Sequence, residues 1–152
     1  MSALKKLIPE GLKKGLRPLY HSLKKSMQKC AAAFTPAPEE WKTLKARMRG
    51  SFTSAELYAI SQEAFGVLQQ EEEIVGVLNY IAEANPTVIG EIGLKHSGNS
   101  FLFTQKCRGA QQYLGLDLKL ENTDKLQYVA PEGMKFRFFE GSSYAAETVR
   151  RV

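Results

Sequence analysis

Cysteine is scarce: Cys30 and Cys107 are the only two in 152 residues. That excludes a disulfide framework, and both read as free thiols of a reducing, cytoplasmic setting. Two histidines and two cysteines at no ligand spacing give no metal-binding set. Long apolar runs are also missing: none approaches the roughly 18 residues a membrane-spanning helix needs. No internal repeat or low-complexity tract is present. The glycine pattern G-x-G-x-x-G of dinucleotide sites and the Walker A loop are both absent.

What is present starts with charge, and the net +5 misleads until it is divided. Residues 1–33 hold eight basic side chains against Glu10 alone, a net +7, and the remaining 13 basic and 15 acidic residues give −2. The basic character belongs to an arm, so the high isoelectric point is no sign of a nucleic-acid-binding fold, and no nucleic acid is expected as partner. In the arm Leu4, Ile8, Leu12, Leu16, Leu19, Leu23 and Met27 recur every three or four residues between lysines, an amphipathic helical pattern that Pro9 and Pro18 interrupt. The plain reading is a solvated helix whose leucines pack on the domain. The functional one is docking on an anionic membrane surface or a protein partner, which would make the protein peripheral to a membrane.

Residues 34–38, with Pro36 and Pro38, read as a linker. Residues 39–84 read as a helical lead-in. A helix is expected over 39–49 with Trp41, Leu44 and Met48 on one face. A second opens on the capping box Thr53-Ser54-Ala55-Glu56, and a third runs over 69–84 with Ile74, Val77, Leu78 and Ile81 on one face. Asn85-Pro86 ends the third. From there the pattern alternates: strand 87–92, helix 99–107, strand 112–117, helix 124–129, strand 134–140, then a helix from Tyr144 to Val152. Alternation of this kind predicts an α/β fold, a partial doubly wound parallel sheet of about three strands preceded by several helices.

In such folds ligands bind at the carboxyl ends of the strands. There this sequence offers Glu91-x-Gly93-x-x-x-Ser97-Gly98, then Asp117, then Gly141-Ser142-Ser143. Small residues let a backbone approach a ligand closely, an acid after the second strand suits ribose hydroxyls, and Ser142 or Ser143 suits a helix N-cap. Phe101, Phe103, Phe136, Phe138 and Phe139 read as core. His96 reads as an exposed loop spacer ahead of a general base. Glu91 as a loop cap and Asp117 as a turn residue are the plain alternatives.

The run from Glu91-Ile92-Gly93 through Ser97-Gly98-Asn99-Ser100 to Phe101-Leu102-Phe103 resembles motif I of class I S-adenosylmethionine-dependent methyltransferases. More narrowly, it resembles the branch related to cephalosporin hydroxylase and macrocin-type O-methyltransferases. Gly115-Leu116-Asp117-Leu118 and Phe139-Glu140-Gly141-Ser142-Ser143-Tyr144 resemble that branch's second and third strand ends, so the likeness covers roughly residues 69–152. It implies a Rossmann-like domain binding S-adenosyl-L-methionine. Glu91 and Gly93 would lie on its amino-acid part within the loop that holds Ser97 and Gly98, Asp117 on the ribose and Ser142 on the adenine, with Tyr144 as a candidate to close over the base. Ser97 departs from the glycine of many relatives, which implies a tighter loop. It also implies O-methyl transfer to a small metabolite or sugar. The family's catalytic and divalent-metal acids lie beyond its fourth strand, so no catalytic or metal residue is named here. The expectation is therefore an amino-terminal part of a methyltransferase, with an open first-strand edge that can pair with another chain as a homo-oligomer. The alternative is a non-catalytic cofactor-binding or interaction module.

Overall fold

The computed structural model describes residues 36–152; the arm at 1–33 and the first two residues of the linker lie outside them. Residues 39–152 form one compact unit. The order is α1 (Glu39–Arg47), α2 (Ser54–Ala64), α3 (Glu71–Ala84), β1 (Val88–Ile92), α4 (Gly98–Lys106), β2 (Gln112–Asp117), α5 (Thr123–Val129), β3 (Lys135–Glu140) and α6 (Ala146–Val149). The three strands are parallel, in the order β1-β2-β3, which is the expected partial α/β sheet. No helix among the described residues is long and apolar enough to cross a membrane.

Register decides which side chains share a face. Ile89, Tyr113 and Phe136 stand side by side, and the next inward row is Glu91, Gly115 and Phe138. This face joins the main core, in which Ile89 and Tyr113 meet Leu57 and Ile60 of α2, Ile74 and Leu78 of α3, Phe101 and Leu102 of α4, and Leu126 and Val129 of α5. The rings of Tyr113, Phe136 and Phe138 lie 5.5 to 6.1 Å apart, in the range where tilted and stacked aromatic pairs add to burial. The opposite face carries Val88, Ile92, Lys135 and Arg137; Ile92 is 72% exposed. Phe101 and Phe139 are buried, and Phe103, Phe136 and Phe138 pack against the core as expected.

The lead-in helices follow their sequence signals closely. Leu44 and Met48 are buried, and the Trp41 ring meets Tyr128 of α5 at 6.0 Å. Thr53 and Glu56 make both bonds of the capping box. Asn85 takes the left-handed conformation (φ 44°) that ends α3, and Pro86 prevents its continuation. Two expectations fail. Val77 is 46% exposed, because the buried stripe of α3 runs through Ile74 and Leu78, with Ile81 partly covered, and Val77 falls on its shoulder. The last helix spans only Ala146–Val149, and neither Ser142 nor Ser143 caps it: its N-cap is Ala145, with no side-chain bond. Ser142 instead folds a turn, its Oγ accepting from the Tyr144 amide at 3.2 Å and its carbonyl from the Ala145 amide at 3.1 Å. A serine hydroxyl that binds its neighbours' backbone competes with the helix rather than starting it.

Candidate site at the carboxyl ends of the strands

The chain leaves β1 through five residues, 93 to 97, of which three hold positive φ: Gly93 (87°), Lys95 (51°) and Ser97 (68°). Glycine adopts this region without penalty, while lysine and serine do so only where their surroundings enforce it. Here the enforcing contacts come mainly from the neighbouring loop after β2. The Gly93 amide donates to the Leu116 carbonyl at 2.8 Å. The Lys95 amide donates to Asp117 Oδ2 at 2.7 Å, and the Ser97 hydroxyl to the Glu121 carbonyl at 2.7 Å. His96 Nδ1 lies 2.7 Å from Glu121 Oε2, and Asn122 Nδ2 donates to the His96 carbonyl at 3.0 Å. Leu94, 2% exposed, sits over Gly115, where a Cβ would come within 2.8 Å of its Cδ2. The two loops are therefore one preorganised unit.

Each expected site residue has a defined place. Gly93 is exposed, with nothing within 4 Å of where its Cβ would be, so this backbone is open to a ligand. Ser97 is fully buried, so its hydroxyl serves the loop-to-loop contact. Gly98 is buried too, and a Cβ there would lie 2.0 Å from the Gly66 carbonyl oxygen; packing of α4 against the α2–α3 loop requires glycine. Asp117 spans both loops, Oδ2 to the Lys95 amide and Oδ1 to the Lys119 amide at 3.0 Å. Burial pushes its carboxyl up, but the surrounding loop amides outweigh that and hold it below the ordinary carboxylate range. The amides of Leu94 and Leu118 face the same carboxylate, so Asp117 is ringed by backbone donors from both loops. Glu91 points to the core side, where its Oε2 accepts from Ser100 and Tyr113. Ser142 is part-buried at the end of β3, and Tyr144 is 97% exposed. The structure thus brings Glu91, Gly93, Ser97, Gly98 and Asp117 into one cluster of bonded elements. Ser142 belongs to the next strand end, linked through the Gly141 amide, which donates to the Asp117 carbonyl at 2.9 Å.

His96 departs from expectation. Its imidazole is paired with Glu121, so it works as a clasp between loops rather than as a spacer. Glu121 is held below the ordinary range first by its bond to Lys119 and then by the bond to His96. Sequence reading gave no role to Tyr113, Ser100, Gly115 or Glu121, nor to residues 66–69, which line a cavity of about 60 Å³ with 93–96, Gly98 and Asn99. Asn99, one of the cavity's lining residues, has a buried Oδ1 without a partner among the described residues. The α4 helix starts without a side-chain cap, which leaves its first amides to other acceptors. A cavity of that size is too small for a whole nucleoside. Larger clefts of about 310 and 250 Å³ lie elsewhere and contain none of the expected residues. The smaller of the two gathers Lys45, Arg49 and Arg108 at the carboxyl ends of α1 and α4, where cations offset the helix dipoles. No cluster of potential metal ligands occurs among the described residues.

Comparison with protein-family models, with curated proteins and with solved structures gave no match.

Proposed function

We propose that this chain binds S-adenosyl-L-methionine through the loops after β1 and β2, as the cofactor-binding part of a methyltransferase acting on a hydroxyl of a small metabolite or sugar. The observation that carries this reading is the loop at 93–97. It holds three positive-φ residues, two of them not glycine, clamped beside Glu91 and Asp117 at the carboxyl end of a parallel strand. Strain of that kind persists only where surroundings over-determine it, and it gathers at ligand sites. Gly93 supplies open backbone for the amino-acid part, Asp117 a carboxylate at the second strand end for a ribose, and Ser142 a small polar neighbour for the base. The resemblance of these three strand ends to the methyltransferase branch supplies the chemistry; the loop supplies a reason for those residues to be there.

Calorimetric titration of the purified chain with S-adenosylhomocysteine tests the reading. Saturable one-site binding is expected. Absence of heat at millimolar ligand would falsify it. The second reading, a non-catalytic interaction module, draws on a specific feature: the side chains of Asp117, Ser97 and His96 all serve to join the two loops. It gains ground if the same titration is silent while the chain remains folded.

A further inference from the structure

The cleft of about 250 Å³ lies at the other end of the sheet, where the strands begin. Gln105 and Arg108 come from the end of α4, residues 129–132 lead from α5 into β3, and Lys45, Met48 and Arg49 come from the end of α1. Parallel strands hold their two ends apart by their own length, so this cleft and the loop at 93–97 lie on opposite edges of the sheet. Part of its wall is apolar: Met48 and Val129 are buried, with Ala130 and Pro131 beside them. The same lining holds three cations, Lys45, Arg49 and Arg108, against the single carboxylate of Glu132.

Neutralising helix ends does not exhaust this set. The ends of α1, α4 and α5 carry roughly half a negative charge each, and Glu132 adds one, so three cations leave a positive surplus. Elsewhere Lys42, Arg47 and Lys119 each pair with a carboxylate, at 3.0, 3.2 and 2.5 Å. Among the described residues none of the three cleft cations does so, although Glu132 shares the cleft. Residues 34–152 are net acidic, so this concentration of positive charge is local.

Two of the cations are also held in place. Lys45 Nζ lies 5.0 Å from the centre of the Tyr128 ring, a cation–π contact, and Arg108 Nη2 donates to the Met48 carbonyl at 2.5 Å. That bond occupies one of the five N–H groups of the guanidinium. Gln105, 4% exposed, commits one amide hydrogen to the Val129 carbonyl at 3.0 Å, and its amide nitrogen carries a second. Arginine forks match the paired oxygens of a phosphate, three cations suit a dianion, and the apolar wall suits an organic body. The volume lies just below the range of drug-sized sites, which selects a small ligand.

We infer that this cleft binds a small organic phosphate, a monoester whose dianion meets Lys45, Arg49 and Arg108 while its body lies on Met48, Val129 and Pro131. The site is separate from the loops after β1 and β2 and does not rest on the cofactor reading.

The test titrates the purified full chain with phenyl phosphate, inorganic phosphate and benzoate, following backbone amide shifts by NMR. Phenyl phosphate is expected to saturate one site below about 10 mM, with the largest shifts at Arg49, Gln105, Arg108 and Ala130 and none at residues 93–97. Inorganic phosphate, which lacks the body, and benzoate, which has one charge, are each expected to bind at least about threefold more weakly. Arg108→Gln weakens phenyl phosphate about tenfold, the loss of one hydrogen bond to a charged group. Arg49→Gln alters an exposed side chain with no described hydrogen bond, so the fold is expected to tolerate it. Its loss of at least about threefold supplies the answer if Arg108→Gln is unfolded. Four results overturn the site: shifts confined to residues 1–33, no saturation by about 10 mM, benzoate binding as tightly as phenyl phosphate, or unchanged affinity in the folded Arg49→Gln chain. Any of them leaves the three cations to the helix ends alone.

Discussion

Two helices of this fold start on a hydroxyl residue, and they start differently. At α2, Thr53 has an extended backbone, its hydroxyl accepts from the Glu56 amide at 3.2 Å, and the Glu56 carboxylate accepts from the Thr53 amide at 2.7 Å. Every one of these bonds serves the helix. At α4, Ser97 sits in the left-handed region and its hydroxyl reaches away to the Glu121 carbonyl, so the helix receives no side-chain cap. The first start is solved locally for stability. The second receives no such cap and makes the preceding loop depend on groups distant in sequence.

The largest expected effect breaks the second start outright. Gly98→Ala would place a methyl 2.0 Å from the Gly66 carbonyl oxygen and 3.1 Å from a Val67 methyl. Backbone cannot yield as a flexible side chain does, so the cost reaches or exceeds the ~3 kcal/mol upper end of ordinary overpacking penalties. Chemical denaturation is expected to show a chain that is largely unfolded or loses most of its stability. A change below about 1 kcal/mol would show that the α2–α3 loop does not hold α4 in place.

That glycine also marks what the sequence could and could not reveal. Gly98 is visible as a small residue in a loop, but the reason for it, Gly66, lies over thirty residues away and no local pattern announces it. The strands were legible from apolar runs ending in small or acidic residues, and the α2 cap from spacing alone, because both are local. The pairing of Glu91 with Tyr113 was not legible, since a tyrosine in an apolar strand reads as core until register sets it beside the acid. Asp117 was legible as a strand-end acid; its bond to the Lys95 amide was not, because it depends on how two loops meet. The misread Ser142 is the opposite case, a local signal with two outcomes. A serine before a helical pattern serves as cap or as turn, and here the Tyr144 amide took its hydroxyl.

A middle-sized effect probes the first start. Thr53→Ala removes the acceptor for the Glu56 amide while Glu56 keeps the Thr53 backbone amide. The expected loss is about 1 kcal/mol, the usual value of a threonine N-cap. Ligand affinity is expected to stay the same, because the cap faces solvent at the far end of α2 from residues 66–69. A stability loss together with a changed affinity for S-adenosylhomocysteine would mean that the two helix starts are coupled, and the contrast between them would lose its force.

The smallest expected effect is the most discriminating. Ser97→Gly relieves a left-handed serine, worth roughly 1 kcal/mol, and loses the bond to the Glu121 carbonyl, also worth about 1 kcal/mol. Glycine in addition loses more chain entropy on folding, by a fraction of 1 kcal/mol. These nearly cancel, so stability is expected to move by no more than about 0.5 kcal/mol, well below the change for Thr53→Ala although both substitutions remove a hydroxyl at a helix start. The loop, released from one tie to the residues after β2, is expected to exchange its amides faster at Lys95 and His96, measured by hydrogen exchange of the folded chain. A loss of 1 kcal/mol or more with unchanged exchange would place Ser97 in the same class as Thr53, as an ordinary helix start. A near-neutral change with faster exchange separates a residue kept for the shape of the loop from one kept for the helix.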